Sequence, residues 1–227
     1  MLRFVFVIGL CWLLLGGLAR LTGDHPSTQE TAAPSLKTRT VLFVGNSLTA
    51  GYGIDPAQAF PARIQDKITA QGWPFHVINA GLSGDTTAGG LRRIDWLLQR
   101  PIDVLVLELG ANDGLRGLPL DAAQKNLQAI IDRARRKYPQ VAILLAGMQL
   151  PPNLGPDYIR RFETLFATLA SANGIAFIPL LLEGVGGVPA LNLPDGIHPT
   201  PAGHQIIAEN VWKVLAPILQ HLANELS

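Results

Sequence analysis

The sequence predicts an α/β protein, a three-layer α/β/α sandwich around a five-stranded parallel sheet. Three observations predict it. Short apolar runs alternate with longer stretches of helical period; the apolar runs are solid, without polar alternation; and no self-similarity at a fixed period suggests a repeat array. Solid apolar strands are what a parallel sheet covered on both faces requires, and the alternation implies right-handed βαβ crossovers.

The strands are expected at Thr40–Val44, Phe75–Asn79, Val104–Leu109, Val141–Ala146 and Ala176–Pro179, and the helices at Pro61–Gln71, Thr86–Leu98, Leu120–Lys137, Asp157–Asn173 and Pro201–Leu222. Together they give one domain over residues 39–227. Ahead of it, residues 20–38 form a polar, Pro- and Thr-bearing leader with no periodicity, read as a flexible linker.

Residues 1–19 carry one charge, Arg3, before an unbroken apolar run, the pattern of a secretory signal. Small residues before Arg20 suit cleavage after Ala19. The alternative is an uncleaved membrane anchor, for which the run is at the short end of about 20 residues. Either way export is expected, to the periplasm or beyond. Cys11, the only cysteine, lies in this segment, so the domain itself is left without a disulfide or thiolate metal site, and Leu10 argues against a lipoprotein cysteine. A net charge of +1 with scattered basic residues supplies no field for nucleic acid, which is excluded as a partner.

In a doubly wound sheet, ligands sit beyond the carboxyl ends of the strands, so polar residues there are the ones to weigh. Four segments qualify: Gly45-Asn46-Ser47-Leu48, Asn79 to Thr86, Glu108 to Gly117, and Leu193 to His204. Asp195 and His198 in the last could supply a base and the group that orients it, with Gly196 allowing the turn and Pro199 turning His198 away from helical geometry. Alone, an Asp-x-x-His is more often a helix cap beside an exposed histidine. Ser47 alone would read as an N-cap, Gly84 as a turn glycine and Asn112 as a cap. Together on neighbouring strand ends they fit one reaction: Ser47 as nucleophile, His198 as base, Asp195 as its partner, and the Ser47 N–H, Gly84 N–H and Asn112 amide as a three-donor oxyanion hole.

Those four blocks, "GNSLTAGYG", "SGDTTAGGL", "LELGANDGLRG" and "DGIHP", resemble in this order the SGNH (GDSL) hydrolase superfamily, from about Thr40 to the last helix. They are most similar to periplasmic bacterial esterases described as multifunctional thioesterase, arylesterase and lysophospholipase. The resemblance implies the same roles for Ser47, Gly84, Asn112, Asp195 and His198, a flavodoxin-like strand order, no metal or cofactor, and a small-molecule ester or lipid substrate. A monomer is expected. One position departs from the pattern: Asn46 stands where the family usually has Asp. That acid is not the triad acid, and Asn46 still accepts and now also donates a hydrogen bond, so an effect on loop rigidity or pH profile is expected.

Leu150 and Pro151, after the fourth strand, either line an acyl groove or belong to an apolar loop packed on its own helix. The resemblance adds the loop holding Gly114 and Leu115 to the acyl-binding surface. Asp113 is read as a cap of the turn after it, Asp85 as the cap of the helix beginning at Thr86, His204 as a surface or cap neighbour, and Arg116 as a solvated loop residue. Two alternatives stand beside the esterase: a carbohydrate O-deacetylase of the same fold, and an inactive tethered binding module for which Asn46 would mark decay. A nucleotide-binding domain is disfavoured, since the glycine runs at Gly51 and Gly184 lack the third glycine of the dinucleotide fingerprint.

Overall fold

The computed structural model describes residues 38–225, and the expected signal and nearly all of the expected linker lie outside them. Five parallel strands, β1 (Arg39–Gly45), β2 (Phe75–Gly81), β3 (Val104–Glu108), β4 (Ala142–Ala146) and β5 (Ala176–Ile178), pair in the order β2-β1-β3-β4-β5. The direction in which strands are added reverses beside β1, so the crevice between the carboxyl ends of β1 and β3 is the switch point at which such sheets bind ligands.

Seven helices accompany the strands among the described residues: α1 (Ser47–Ala50), α2 (Phe60–Ala70), α3 (Thr87–Leu97), α4 (Ala111–Leu115), α5 (Leu120–Lys137), α6 (Pro156–Asn173) and α7 (Pro201–Asn224). Helices α2 and α7 pack together, and α3, α5 and α6 pack in series, giving the two outer layers of the sandwich. None is long and apolar enough to cross a membrane. The one-turn helices α1 and α4 were expected as loops; they are too short for a periodic signal, and each is stabilised by what lies around it.

Strands β1 and β3 are buried along their apolar runs, with Phe43, Leu42, Leu105 and Leu107 fully enclosed between the layers. Strand β2 departs from the expectation of a strand covered on both faces. It is one edge of the sheet, and His76 and Asn79 along it reach solvent. A strand with one neighbour buries less, which is why its sequence tolerates polar residues.

His204 is a second correction. It is not at the surface but 1% exposed, one turn into α7, where its ring lies parallel to that of Phe60 and its Nδ1 accepts the Phe60 N–H at 3.2 Å. That N–H opens α2, whose N-cap Ala59 offers no side-chain acceptor, so α7 caps α2 across the layer. Burial, reinforced by the charge of His198, pushes the His204 pKa down from 6.5 to about 4. The folded state therefore holds it neutral, and its contribution is fully present above pH 6.5 and lost as the pH falls toward 4. Thermal midpoints of the parent should fall over that window, and His204→Asn, which keeps an acceptor at the position of Nδ1 but does not titrate, should remove that part of the slope.

Candidate active site

Three strand ends and the loop before α7 meet at the β1/β3 crevice. Asn46 is the N-cap of α1, its Oδ1 accepting the Leu48 N–H at 2.9 Å, and this tight turn places Ser47 as the first residue of the helix. The Ser47 Oγ lies 3.0 Å from His198 Nε2, and His198 Nδ1 lies 2.7 Å from Asp195 Oδ2. The other carboxylate oxygen, Oδ1, accepts the backbone N–H groups of Ile197 and His198 at 2.9 and 3.0 Å.

Those bonds, the His198 N–H first and then its ring and the Ile197 N–H, hold Asp195 down at about 2, although the side chain is largely open to solvent. An ionised Asp195 can only accept, so Nδ1 carries the ring proton and Nε2 presents its lone pair to the Ser47 hydroxyl. The loop that carries the pair is closed at its neck by an antiparallel bridge between Asn192 and Pro199 and by the Leu193 N–H to His198 O bond at 2.7 Å. Buried Asn192 pins that neck, donating to Val185 O and Val188 O.

In the loop after β2, Gly84 has φ +80°, a conformation that favours glycine. Neither this N–H nor that of Ser47 has an acceptor among the described residues. The Asn112 amide, in the first turn of α4, gives one hydrogen to Asp85 O at 2.8 Å and keeps the other. Three donors on three loops are thus left without an acceptor among the described residues.

The acids and Arg116 around that loop do work different from that expected of them. Asp85 does not cap α3; Thr86 does, accepting the Gly89 N–H, while Asp85 binds Arg93 Nε at 2.7 Å. Arg93 continues to Ala80 O and Gly45 O, tying the ends of β2 and β1 to the Gly84 loop. Asp113 does not cap its own turn: buried, it accepts the N–H and the hydroxyl of Thr87 at 2.8 and 2.7 Å, joining α4 to the start of α3. Arg116, expected in solvent, donates to Gly84 O at 3.0 Å. In each case a partner brought close by the fold replaces the expected cap or solvent.

A cleft of about 700 Å³ opens from Ser47, walled by Leu115, Met148, Leu150, Pro151 and Leu182. Gly114, grouped with Leu115 in the sequence, is not on this wall. It is buried behind it, where a Cβ would meet Leu150 Cδ2 at 2.6 Å, so its role is to let that loop close on α4. Among the described residues no group of His, Cys, Asp and Glu side chains could hold a metal ion.

Two participants escaped the sequence. Tyr52 lays its ring against that of His198, centroids 4.5 Å apart, with half its surface exposed. Glu108, the last residue of β3, is buried directly beneath the Ser47 turn. The glutamate's signal was there to be read, an acid closing a solid apolar strand, but nothing local named its partner.

The model of the GDSL-like lipase/acylhydrolase family matches residues 43–206, which includes the whole of this constellation. The chain belongs to that family. Family relatives agree over nearly their whole length. "Esterase TesA" of Pseudomonas aeruginosa is 43% identical over 85% of this chain and 92% of its own. "Thioesterase 1/protease 1/lysophospholipase L1" of Escherichia coli K12 is 36% identical over 80% and 86%. The crystal structure of TesA superposes with a TM-score of 0.76 at 42% identity, covering 79% of this chain and 99% of that one. This family member is a serine hydrolase of the SGNH fold.

With Asn112 as an oxyanion donor and Ser47 as nucleophile, as expected from the sequence, Asn112→Ala should lower kcat by about 10²- to 10³-fold with little change in KM, whereas Ser47→Ala should abolish turnover. Asp195→Asn would set an NH₂ against Nδ1 and favour the wrong tautomer, so a loss on the order of 10⁴-fold is expected in the same steady-state assay.

Proposed function

We propose that this hydrolase cleaves carboxylic esters by acyl transfer to Ser47 and then to water, and that medium-chain aryl or acyl esters, thioesters and lysophospholipids are its substrate class. The observation that carries the reading is the continuous line Ser47 Oγ, His198 Nε2, His198 Nδ1, Asp195 Oδ2, with steps of 3.0 and 2.7 Å. His198 takes the Ser47 proton as the hydroxyl attacks the carbonyl carbon, Asp195 stabilises the imidazolium, and the new oxyanion lies among the Ser47 N–H, the Gly84 N–H and the Asn112 amide. The proton passes to the departing alcohol or thiol. Water then attacks the acyl-serine with His198 again as base, and the acid leaves.

The wall of the cleft supports the acyl part of the reading. Leu115, Met148, Leu150, Pro151 and Leu182 offer an apolar surface leading from the nucleophile, as an acyl chain would need. The names of the relatives, esterase, thioesterase and lysophospholipase, fit the same class. The apolar segment in residues 1–19, as signal or anchor, supports export and argues against cytosolic acyl-CoA as the natural substrate.

The test is hydrolysis of p-nitrophenyl esters of increasing acyl length, with a lysophospholipid alongside, by the parent and by Ser47→Ala. Parent activity that rises from acetate to medium chains and vanishes in the variant is the expected outcome. Preference for acetate would instead favour deacetylation, and a parent that neither hydrolyses any member nor reacts with a fluorophosphonate would favour the inactive binding module.

A further inference from the structure

Beneath the nucleophile turn the Glu108 carboxyl is 1% exposed and faces donors alone. Its Oε2 accepts the Asn46 N–H at 3.1 Å and the Thr49 hydroxyl at 2.7 Å, and its Oε1 accepts Asn46 Nδ2 at 2.8 Å. Gly45 makes room for it, since a Cβ there would stand 2.6 Å from Oε2 and 1.9 Å from Thr49 Oγ1. The Asn46 amide is thereby fully specified. Its Nδ2 must face the carboxyl and its Oδ1 must face the Leu48 N–H, which is the cap that orients Ser47.

We propose that Asn46 and Glu108 are a matched amide–carboxylate pair that sets the Ser47 turn, with Glu108 a positioning residue, and that the substitution Asn46→Asp would make the same turn depend on one shared proton. The inference rests on the ester hydrolysis proposed above. In Asn46→Asp the introduced carboxylate would still cap Leu48 with one oxygen, but its other oxygen would meet Glu108 Oε1 at about the present 2.8 Å. Two carboxyls at that distance hold a proton between them, and losing it leaves two buried like charges in contact. Asparagine supplies the proton permanently as an N–H.

Burial pushes Glu108 up from 4.5 to about 7, with the bonds from Thr49 and Asn46 opposing it. No cation neutralises it among the described residues. The charged groups on the elements around it are committed elsewhere: Arg93 of α3 to Asp85, Ala80 O and Gly45 O; Asp113 of α4 to Thr87; Arg116, past α4, to Gly84 O; and His198, across Ser47, to Asp195. Strand β4 has no titratable side chain, and His76 of β2 and Arg39 of β1 lie at the far end of the sheet. A further titratable donor for the carboxyl pair is therefore absent among the described residues.

The pair makes a distinctive exchange testable. In Glu108→Gln, an amide faces an amide, and whichever way either turns, two N–H groups oppose in a buried site. In Asn46→Asp combined with Glu108→Gln, the introduced glutamine's oxygen can accept the backbone N–H at position 46 and the Thr49 hydroxyl while its NH₂ donates to the introduced aspartate, the same pair with its ends reversed. We expect Glu108→Gln to lower kcat by about 10- to 100-fold with KM nearly constant, as misplacement of a nucleophile does. The double variant should recover to within about threefold of the parent, because every donor again has an acceptor. For Asn46→Asp alone, kcat relative to the parent should fall at least about tenfold between about pH 6 and about pH 9 as the shared proton is lost.

Thermal midpoints of the same four proteins across that pH range read the pair without turnover: only Asn46→Asp should lose stability relative to the parent as pH rises. A double variant no better than Glu108→Gln, or an Asn46→Asp ratio flat with pH in both kcat and midpoint, overturns the pairing. A parent inert on every ester would instead sink the ester reading, and the midpoints alone would then decide this one. If Glu108→Gln does not fold, recovery of folding in the double variant is the expected sign of the exchange, and its failure counts against it.

Discussion

The site depends on one buried carboxyl. Glu108 closes β3 and reaches under the end of β1 to hold the turn that presents Ser47, so β1, β3 and that turn are one hydrogen-bonded unit. A buried carboxyl is costly unless its oxygens are occupied, and here each is met by a donor from the turn. The same sharing of partners explains why α1 can be a single turn: its N-terminus is capped by Asn46, and Asn46 is in turn fixed by Glu108.

Around that unit the other loops are fastened to one another as well as to neighbouring helices. Arg93 links the ends of β1 and β2 to Asp85, the Asn112 amide holds Asp85 O, and Arg116 holds Gly84 O, so the three donors proposed for the oxyanion lie on a connected frame. Preorganised donors are effective because they need not reorient as charge develops. The acid and base are arranged differently. They share a short loop with an open outer edge, where Asp195 is kept ionised by backbone N–H groups rather than by burial. A hydrogen-bonded interior thus carries Ser47, Gly84 and Asn112, and a pinned but more solvated loop brings His198 to Ser47.

Much of this was legible along the chain. Solid apolar runs from Val41 to Val44 and from Val104 to Leu107 mark the central strands because nothing polar fits between two helical layers. Ser47, Gly84, Asn112, Asp195 and His198 stand at strand ends or in the last loop, where a doubly wound sheet puts its ligands, and the family match spans the same positions. The errors share one cause. Asp85, Asp113, His204 and Arg116 each had an acceptable local partner in the sequence, a cap or solvent, yet each binds a residue from another element. Local rules describe what a side chain can do when nothing else reaches it.

The sequence by itself determined the layers, the order of the elements and the residue types at the reacting end of the sheet, because these follow from periodicity, strand-end position and motif. Only the tertiary structure decided which of those residues meet. Ser47 and His198 are 151 positions apart and Asn46 and Glu108 are 62 apart, and a hydrogen bond across such a span exists only once strand order and register are set. That is why Ser47 could be picked out as a candidate from the chain, while the carboxyl beneath it had to be seen in the fold.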